Sequence, residues 1–255
     1  MNNIRFSRKS FALSLFRLTL LGMLFGYTSV DADNTAGMKY FNAKQYQQAY
    51  KEFYAAAMKG DETSAFNLGY MYQHGIGVKI DHLEAAKWLK KSADLGYVDA
   101  MMELGIIYEN GDNNMPGDIY AQALSWYKKA AAKGNSDGQY KIGNFYKFGF
   151  GVKKDDVQAV SWYRQAAAQG NKYAQYELGN LYEYGNNIKK DYGQALALYR
   201  KSALQGNVRA QVSLGEMYEE GKGVPKDLKL ALQWCQKAAD TGDDNRAGCV
   251  KRLKK

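Results

Sequence analysis

Apolar and small residues recur along this chain at helical spacing, in blocks that repeat around a glycine. Each block has a small residue five positions before the glycine, an aliphatic residue one before it, an apolar residue two after it and a tyrosine three after it. Spacings of three and four place these residues on one face of an α-helix. We therefore predict five amphipathic helices, each centred on one of the inner glycines Gly69, Gly105, Gly143, Gly179 and Gly215.

The inner glycine is an unusual choice for a helix interior. It is about 1 kcal/mol less favourable there than alanine. Because it has no Cβ, another backbone or side chain can pack directly against it. We expect close approach of a neighbouring helix to be the benefit that compensates for its recurrence.

A second helix is predicted after each of these first helices. The second helices end in alanine-rich segments at closing glycines, which are spaced by 36, 38, 36, 36 and 36 residues. Glycine-rich turns between first and second helices lead to aspartates that can cap the second helix. Four second helices carry a tryptophan, whose indole we expect to fill space between neighbouring hairpins. A period of this length predicts a solenoid, in which each unit packs only against its neighbours.

The repeated pattern A-x4-LG-x2-Y-x2-G-x-GV-x2-D-x3-A-x2-W-x2-KAA-x2-G resembles the Sel-1-like repeat, a relative of the tetratricopeptide repeat. The resemblance implies an all-α fold, a right-handed α/α solenoid of antiparallel helix hairpins. Unit two departs from the pattern by two extra residues in its turn, and unit four has Gly185-Asn-Asn-Ile in place of GxGV and Leu198 in place of tryptophan. The predicted units are a degenerate tetratricopeptide-like hairpin at 33–60, five repeats at 61–96, 97–134, 135–170, 171–206 and 207–242, and a capping helix at 243–255.

The first 32 residues have the features of a secretory signal peptide. Four basic residues, the last of them Arg17, precede an apolar run at 18–27 and a small-residue pattern ending at Ala32. The alternative is an uncleaved membrane anchor, but a bilayer span requires about 20 apolar residues and Arg17 interrupts the only candidate. We predict cleavage near Ala32, no stable membrane span afterwards, and a periplasmic or secreted bacterial protein.

The two cysteines also point to an oxidising compartment. Cys235 lies seven residues before Gly242 and Cys249 seven after it, so a bend at this glycine would place both thiols at matching heights on facing helices. We predict a disulfide between them. Two free buried thiols are the alternative.

Charge argues against a nucleic-acid partner. Removal of residues 1–32 would leave 31 Lys and Arg against 25 Asp and Glu, a formal net charge of +6 instead of +9. This moderate excess is far from the concentrated basic stripe of a nucleic-acid-binding protein.

Residues that carry catalysis are sparse. The two histidines, His74 and His82, have no zinc-site spacing around them, and serine-nucleophile motifs are absent from the sequence. We predict no catalytic, cofactor-binding or metal-binding residues and no enzymatic activity. An alternative comes from the family resemblance: some cysteine-rich relatives have been assigned penicillin binding or weak β-lactamase activity, which would make this a cell-wall-directed protein that binds peptidoglycan or penicillin. Those relatives carry a cysteine pair in each repeat, whereas this chain has one pair.

The resemblance implies that first helices line the concave side of the solenoid, where we predict that another protein or peptide binds. Positions two before, one after and five after the inner glycine share a face and vary between units. We expect Tyr70, Phe148 and Tyr184 to contribute most of the binding energy; the alternative is that they only shield neighbouring turns. The predicted contact residues are Asn67, Tyr70, His74, Glu103, Ile106, Asn110, Lys141, Asn144, Phe148, Glu177, Asn180, Tyr184, Ser213, Glu216 and Glu220.

A basic stripe lies near the ends of the second helices. Cations at these positions complement the helix dipole, which is a structural role. The alternative is that the stripe binds an anionic envelope polymer. The stripe consists of Lys90, Lys91, Lys128, Lys129, Arg164, Arg200, Lys201 and Lys237.

Overall fold

A computed structural model of the protein describes residues 29–111, 117–240 and 248–253, with side chains described from residue 34 onward. Most of the predicted signal peptide, the enlarged turn after Gly111 and the bend at Gly242 lie outside the described residues. Within them the chain forms thirteen α-helices and no strand. The helices are α1 (Ser29–Asn42), α2 (Tyr46–Met58), α3 (Glu62–His74), α4 (His82–Asp94), α5 (Val98–Asn110), α6 (Ile119–Ala132), α7 (Ser136–Phe148), α8 (Asp156–Ala168), α9 (Lys172–Tyr184), α10 (Tyr192–Leu204), α11 (Val208–Glu220), α12 (Leu228–Ala239) and α13 (Gly248–Leu253).

The helices pack in sequence order. Each odd-numbered helix from α1 to α11 packs most extensively on the even-numbered helix that follows it, and that helix then contacts the helix after it. The core follows the same order, since Leu89 of α4, Leu104 of α5 and Trp126 of α6 belong to one buried cluster. The predicted all-α solenoid of helical hairpins is therefore confirmed.

The turns within the hairpins use the predicted chemistry. Each odd-numbered helix from α3 to α11 ends at a glycine in the left-handed conformation, with φ between 64° and 75°. Each even-numbered helix from α4 to α12 follows an aspartate whose carboxylate accepts hydrogen bonds from first-turn amides. Asp155, for example, accepts from the amides of Val157 and Gln158 at 3.0 Å each. These caps satisfy amides that a helix start leaves without partners.

The inner glycines mark the place where the two helices of a hairpin approach most closely. A Cβ added to Gly143 would lie 2.5 Å from Cε1 of Tyr163, and one added to Gly179 would lie 2.8 Å from Cδ1 of Tyr199. Real side chains do not tolerate such distances. The expectation that glycine permits close helix approach is confirmed.

The large side chains opposite the inner glycines were not singled out from the sequence. Tyr127, Tyr163 and Tyr199 are fully buried and are the largest fully buried side chains of the described residues. They occupy the position directly after Trp126, Trp162 and Leu198. The signal that could have revealed them is a tyrosine seven residues before the closing glycine in three successive units.

The departure in unit four is accommodated without a change of backbone conformation. Asn187 has φ of 59°, close to the 61° of Gly151 in the equivalent turn position of unit three. Asparagine enters this region more readily than most residues. Its Nδ2 donates a hydrogen bond to Oδ2 of Asp156 at 2.9 Å, whereas a Cβ at Gly151 would lie 2.6 Å from the backbone of Tyr120.

The C-terminal end of the solenoid is covered by α13. Cys235 of α12 and Cys249 of α13 form a disulfide, with their Cα atoms 5.8 Å apart. Both half-cystines are buried with Val250. In unit five Cys235 takes the place of the large residue opposite the glycine, since a Cβ at Gly215 would lie 2.8 Å from its Sγ.

Substituting Gly143 with alanine tests the close helix approach. Gly143→Ala should lower the free energy of unfolding by about 1–3 kcal/mol, because the added methyl group overlaps the Tyr163 ring. Gly193→Ala is the matched control, since its new Cβ would meet only the Asp191 carboxylate at 3.3 Å; it should stay within about 1 kcal/mol of the parent protein. Urea denaturation measures both, and equal destabilisation would contradict the packing role.

The disulfide can be tested on the oxidised protein. Proteolysis without reductant should release one linked pair of peptides that contain Cys235 and Cys249, detected by mass spectrometry. Cys249→Ala should lower the free energy of unfolding by about 3 kcal/mol, the value expected for a loop of this length. Full alkylation of both thiols in the unreduced protein would show that the bond does not form.

Candidate partner-binding face

The predicted contact residues lie on the odd-numbered helices α3, α5, α7, α9 and α11. We call their shared surface the odd-helix face and divide it into rows by distance from the inner glycine. The −2, +1 and +5 rows hold the fifteen predicted residues. A +4 row, which the sequence analysis did not consider, lies between them and consists of Gln73, Glu109, Lys147, Glu183 and Glu219.

Side chains of the −2 row form ion pairs with the preceding unit. Lys141 Nζ lies 2.8 Å from Glu109 Oε2, and Glu177 Oε2 lies 2.7 Å from Lys147 Nζ. Each pair joins the +4 row of one unit to the −2 row of the next. Three of these four side chains are about 30% exposed and Glu177 is 13% exposed. The pairs therefore connect adjacent repeats and leave little of these groups for a partner.

At both ends of the odd-helix face, side chains of the terminal helices α1 and α13 make similar polar contacts. Asn67 donates to Oδ1 of Asn34 in α1 at 3.1 Å. At the other end, Arg252 of α13 donates to both oxygens of Glu219, with a shortest distance of 2.6 Å, and lies 3.7 Å from Glu216. The terminal helices thus take the place that a further repeat would occupy.

Hydroxyl groups from the core reach the same face. Tyr163 donates to Oδ1 of Asn144 at 2.7 Å, and Tyr199 donates to Oε2 of Glu183 at 2.9 Å. Burial raises the pKa of both tyrosines well above the usual range. The phenols therefore stay protonated and can donate these hydrogen bonds. The bonds connect Asn144 of the +1 row and Glu183 of the +4 row to the buried tyrosines beneath them.

Only the +5 row is exposed in every unit. The ten residues of the −2 and +1 rows, including Tyr70, Ile106, Asn180 and Ser213, are half-buried. Phe148 is 57% exposed and Tyr184 is 59% exposed. The complete +5 row is His74, Asn110, Phe148, Tyr184 and Glu220.

Burial is the main cause of the pKa shifts of Glu103, Glu216 and His74 on this face. Burial raises the pKa of Glu103 and of Glu216, although a Gln73 hydrogen bond opposes the first shift and Arg252 opposes the second. Burial, and then His82, lowers the pKa of His74, whose ring lies 4.2 Å from that of Tyr70. His74 is therefore mostly neutral at pH 7 and contributes an uncharged ring to the end of the row.

Glu220, the last member of the row, is paired with Lys222 at 2.6 Å. That lysine also approaches Glu183 at 3.4 Å. Its pKa is raised, first by the hydrogen bond to Glu220. Lys222 therefore compensates part of the negative charge of Glu183 and Glu220 at this end of the face.

Three lysines of the basic stripe, Lys91, Lys129 and Lys237, pack on tryptophan rings of their own helices. Lys129 Nζ lies 3.6 Å from the centre of the Trp126 ring, and Lys237 Nζ lies 4.4 Å from that of Trp234. These are cation–π distances. Packing therefore accounts for part of the stripe, and an anionic ligand for it stays a prediction.

The described residues contain neither a membrane-spanning helix nor a cluster of metal-binding side chains. In residues 29–111, 117–240 and 248–253, every helix is too short or too polar to cross a bilayer. In the same residues, His, Cys, Asp and Glu side chains do not gather in groups of three or more that could hold a metal ion.

A family model for the Sel1 repeat matches five consecutive segments of the chain: 63–97, 98–135, 136–171, 172–207 and 208–243. The chain is also similar to two curated proteins over short stretches. It is 36% identical over 74 residues to the ERAD-associated E3 ubiquitin-protein ligase component HRD3 of Candida glabrata and 40% identical over 62 residues to the DAP3-binding cell death enhancer 1 of Rattus norvegicus. These stretches cover 29% and 24% of the chain but only 8% and 12% of the two relatives.

Solved structures resemble the whole solenoid. The protein c5321, a protective antigen present in uropathogenic Escherichia coli strains, has a TM-score of 0.79 at 34% identity, covering 88% of this chain and 48% of that one. A Sel1 repeat protein from Oxalobacter formigenes has a TM-score of 0.76 at 30% identity, covering 88% of both chains. The resemblance seen in the sequence pattern is confirmed, and the chain belongs to the Sel1 repeat family.

Proposed function

We propose that this protein is a non-enzymatic scaffold that binds another protein through the odd-helix face, with the +5 row as the main contact. Sel1 repeat proteins commonly serve as scaffolds for protein–protein interactions. The observation that carries the proposal for this chain is the exposure of Phe148 and Tyr184, at the same repeat position in adjacent units.

Both side chains suit a binding role better than a packing role. Exposed aromatic residues provide large contact area for little loss of conformational entropy, and they are enriched among residues that dominate binding energy. The neighbouring −2 residues are held by ion pairs to the preceding unit, so the aromatic rings rest on a fixed surface. Polar residues on either side of the two rings, Asn110 and Glu220, would form the rim of such an interface.

The names of two relatives support an assembly role. One is a component of a ubiquitin-protein ligase and the other is named for binding DAP3. By analogy we propose a role in assembly or signalling, or in host interaction, for this chain.

We also propose that the protein works in the periplasm or outside the cell. The disulfide between Cys235 and Cys249 supports an oxidising compartment. The segment at 1–32 has the composition of a signal peptide, and its removal would leave the solenoid intact from α2 onward.

Removal of the two exposed rings tests the contact row. Phe148→Ala combined with Tyr184→Ala should weaken partner capture at least tenfold, about 1.4 kcal/mol, and change unfolding free energy by less than about 0.5 kcal/mol. Tyr173→Ala is the matched control, because Tyr173 is 47% exposed on α9 but lies outside the row.

A photocrosslinking amino acid at 148 or 184 in the native envelope should label one common partner, identified by mass spectrometry. Equal labelling from position 173, at the other end of α9, would contradict the +5 row as the main contact.

A charge swap separates the structural row from the contact row. Lys147→Glu should lower the free energy of unfolding by about 1–3 kcal/mol, between the values for exposed and buried pairs, because it places a second carboxylate against Glu177. Adding Glu177→Lys should restore most of that loss and leave crosslinking from position 184 unchanged. Additive losses in urea denaturation would show that the pair does not join the repeats.

A further inference from the structure

A cavity of about 210 Å³ opens between units three and four, beside the exposed ring of Phe148. Lys154, Asp156 and Asn187 line its polar side. Tyr163 and Leu181, both buried, line its apolar side.

The cavity lies where the chain departs twice from its own repeat. At three other junctions, a tyrosine in the first turn of an even-numbered helix packs on a glycine of the next turn. A Cβ at Gly77 would meet Tyr46, and one at Gly223 would lie 2.8 Å from Tyr192. Here the pair is Asp156 and Asn187, so the large ring is absent and a pair of polar groups takes its place. Breaks in an otherwise consistent pattern are expected at functional sites.

The polar groups of the cavity are arranged as connected donors and acceptors. Asn187 Nδ2 donates to Asp156 Oδ2 at 2.9 Å, and Lys154 Nζ lies 3.6 Å from the same oxygen. A carboxylate accepts through both oxygens, and an amide offers a donor and an acceptor on one plane. A ligand with two neighbouring hydroxyl groups fits this carboxylate and amide, because each hydroxyl group can both donate and accept a hydrogen bond.

Charge in the cavity is balanced. Lys154 faces Asp156, and the other lining lysine, Lys147, is paired with Glu177 at 2.7 Å. An anionic ligand would have to compete with these carboxylates. The arrangement therefore favours an uncharged ligand.

The aromatic wall is held in place from within the protein. Phe148 stacks on Phe150 with ring centres 5.6 Å apart, while 57% of the residue stays exposed. An aromatic ring of this kind suits a ligand with an apolar face. The volume is below the range of about 300–1,000 Å³ that is typical for small-molecule pockets, so a single ring is the largest group that it would enclose.

We propose that this cavity binds one hexopyranose ring of a neutral glycan. A sugar ring combines an apolar C–H face, which would pack on Phe148, with vicinal hydroxyl groups, which would bond to Asp156 and Asn187. A peptide anchor is less well matched, because the apolar floor is shallow and polar groups occupy the rim. The cavity shares Phe148 with the +5 row, but Asp156 and Asn187 lie outside the odd-helix face, so substitutions there separate glycan binding from protein binding.

The variant Asp156→Tyr with Asn187→Gly tests the proposal, because it introduces the tyrosine–glycine pair of three other junctions and should fold normally. The full protein is applied to an array of neutral and anionic oligosaccharides. We expect selective retention of neutral glycans and, in an NMR titration with the best-retained one, shifts at Phe148, Lys154 and Asn187. The double variant should bind at least tenfold more weakly with an unchanged melting temperature.

Several outcomes would overturn the proposal. Retention of no neutral glycan would do so, as would equal binding by the double variant or preference for anionic glycans. A peptide that shifts the same resonances while no glycan does would reassign the cavity to protein recognition. Crosslinking from position 184 should persist in the double variant, so failure of glycan binding is distinguishable from failure of the scaffold proposal.

Discussion

The structure depends on the close approach of two helices at each inner glycine. A large side chain from the even-numbered helix, such as Tyr163 or Tyr199, occupies the space that a Cβ would need. The same tyrosines extend their hydroxyl groups to Asn144 and Glu183 on the odd-helix face. One packing contact therefore sets the spacing within a hairpin and fixes the position of side chains on its surface.

That constraint divides the odd-helix face into rows with different roles. Inter-unit pairs such as Glu109–Lys141 and Lys147–Glu177 use the −2 and +4 rows to hold neighbouring repeats in register. The +5 row, at the C-terminal end of each odd-numbered helix, is left exposed. A solenoid built this way can vary one row without disturbing its packing, which is how a repeat protein acquires a specific partner.

Local features could be predicted from the sequence, and contacts between units could not. Helical spacing, glycine turns and the Asp155 cap depend on residues within one turn of each other, and the structure bears them out. The engagement of Lys141 could not be predicted, because it depends on how far apart α5 and α7 lie after packing. The alternation of charge between +4 and −2 positions was the available signal. The role of Asn187 also required the structure, since its partner Asp156 belongs to the preceding unit.

The central claim is that steric contact between the inner glycine and the ring opposite it sets the fold. A double-mutant cycle on Gly143→Ala and Tyr163→Ala, followed by urea denaturation, measures this contact directly. If the contact is the constraint, the alanine at position 143 will destabilise the parent protein but will be neutral or stabilising once the ring is removed. The same destabilisation in both backgrounds would contradict the account.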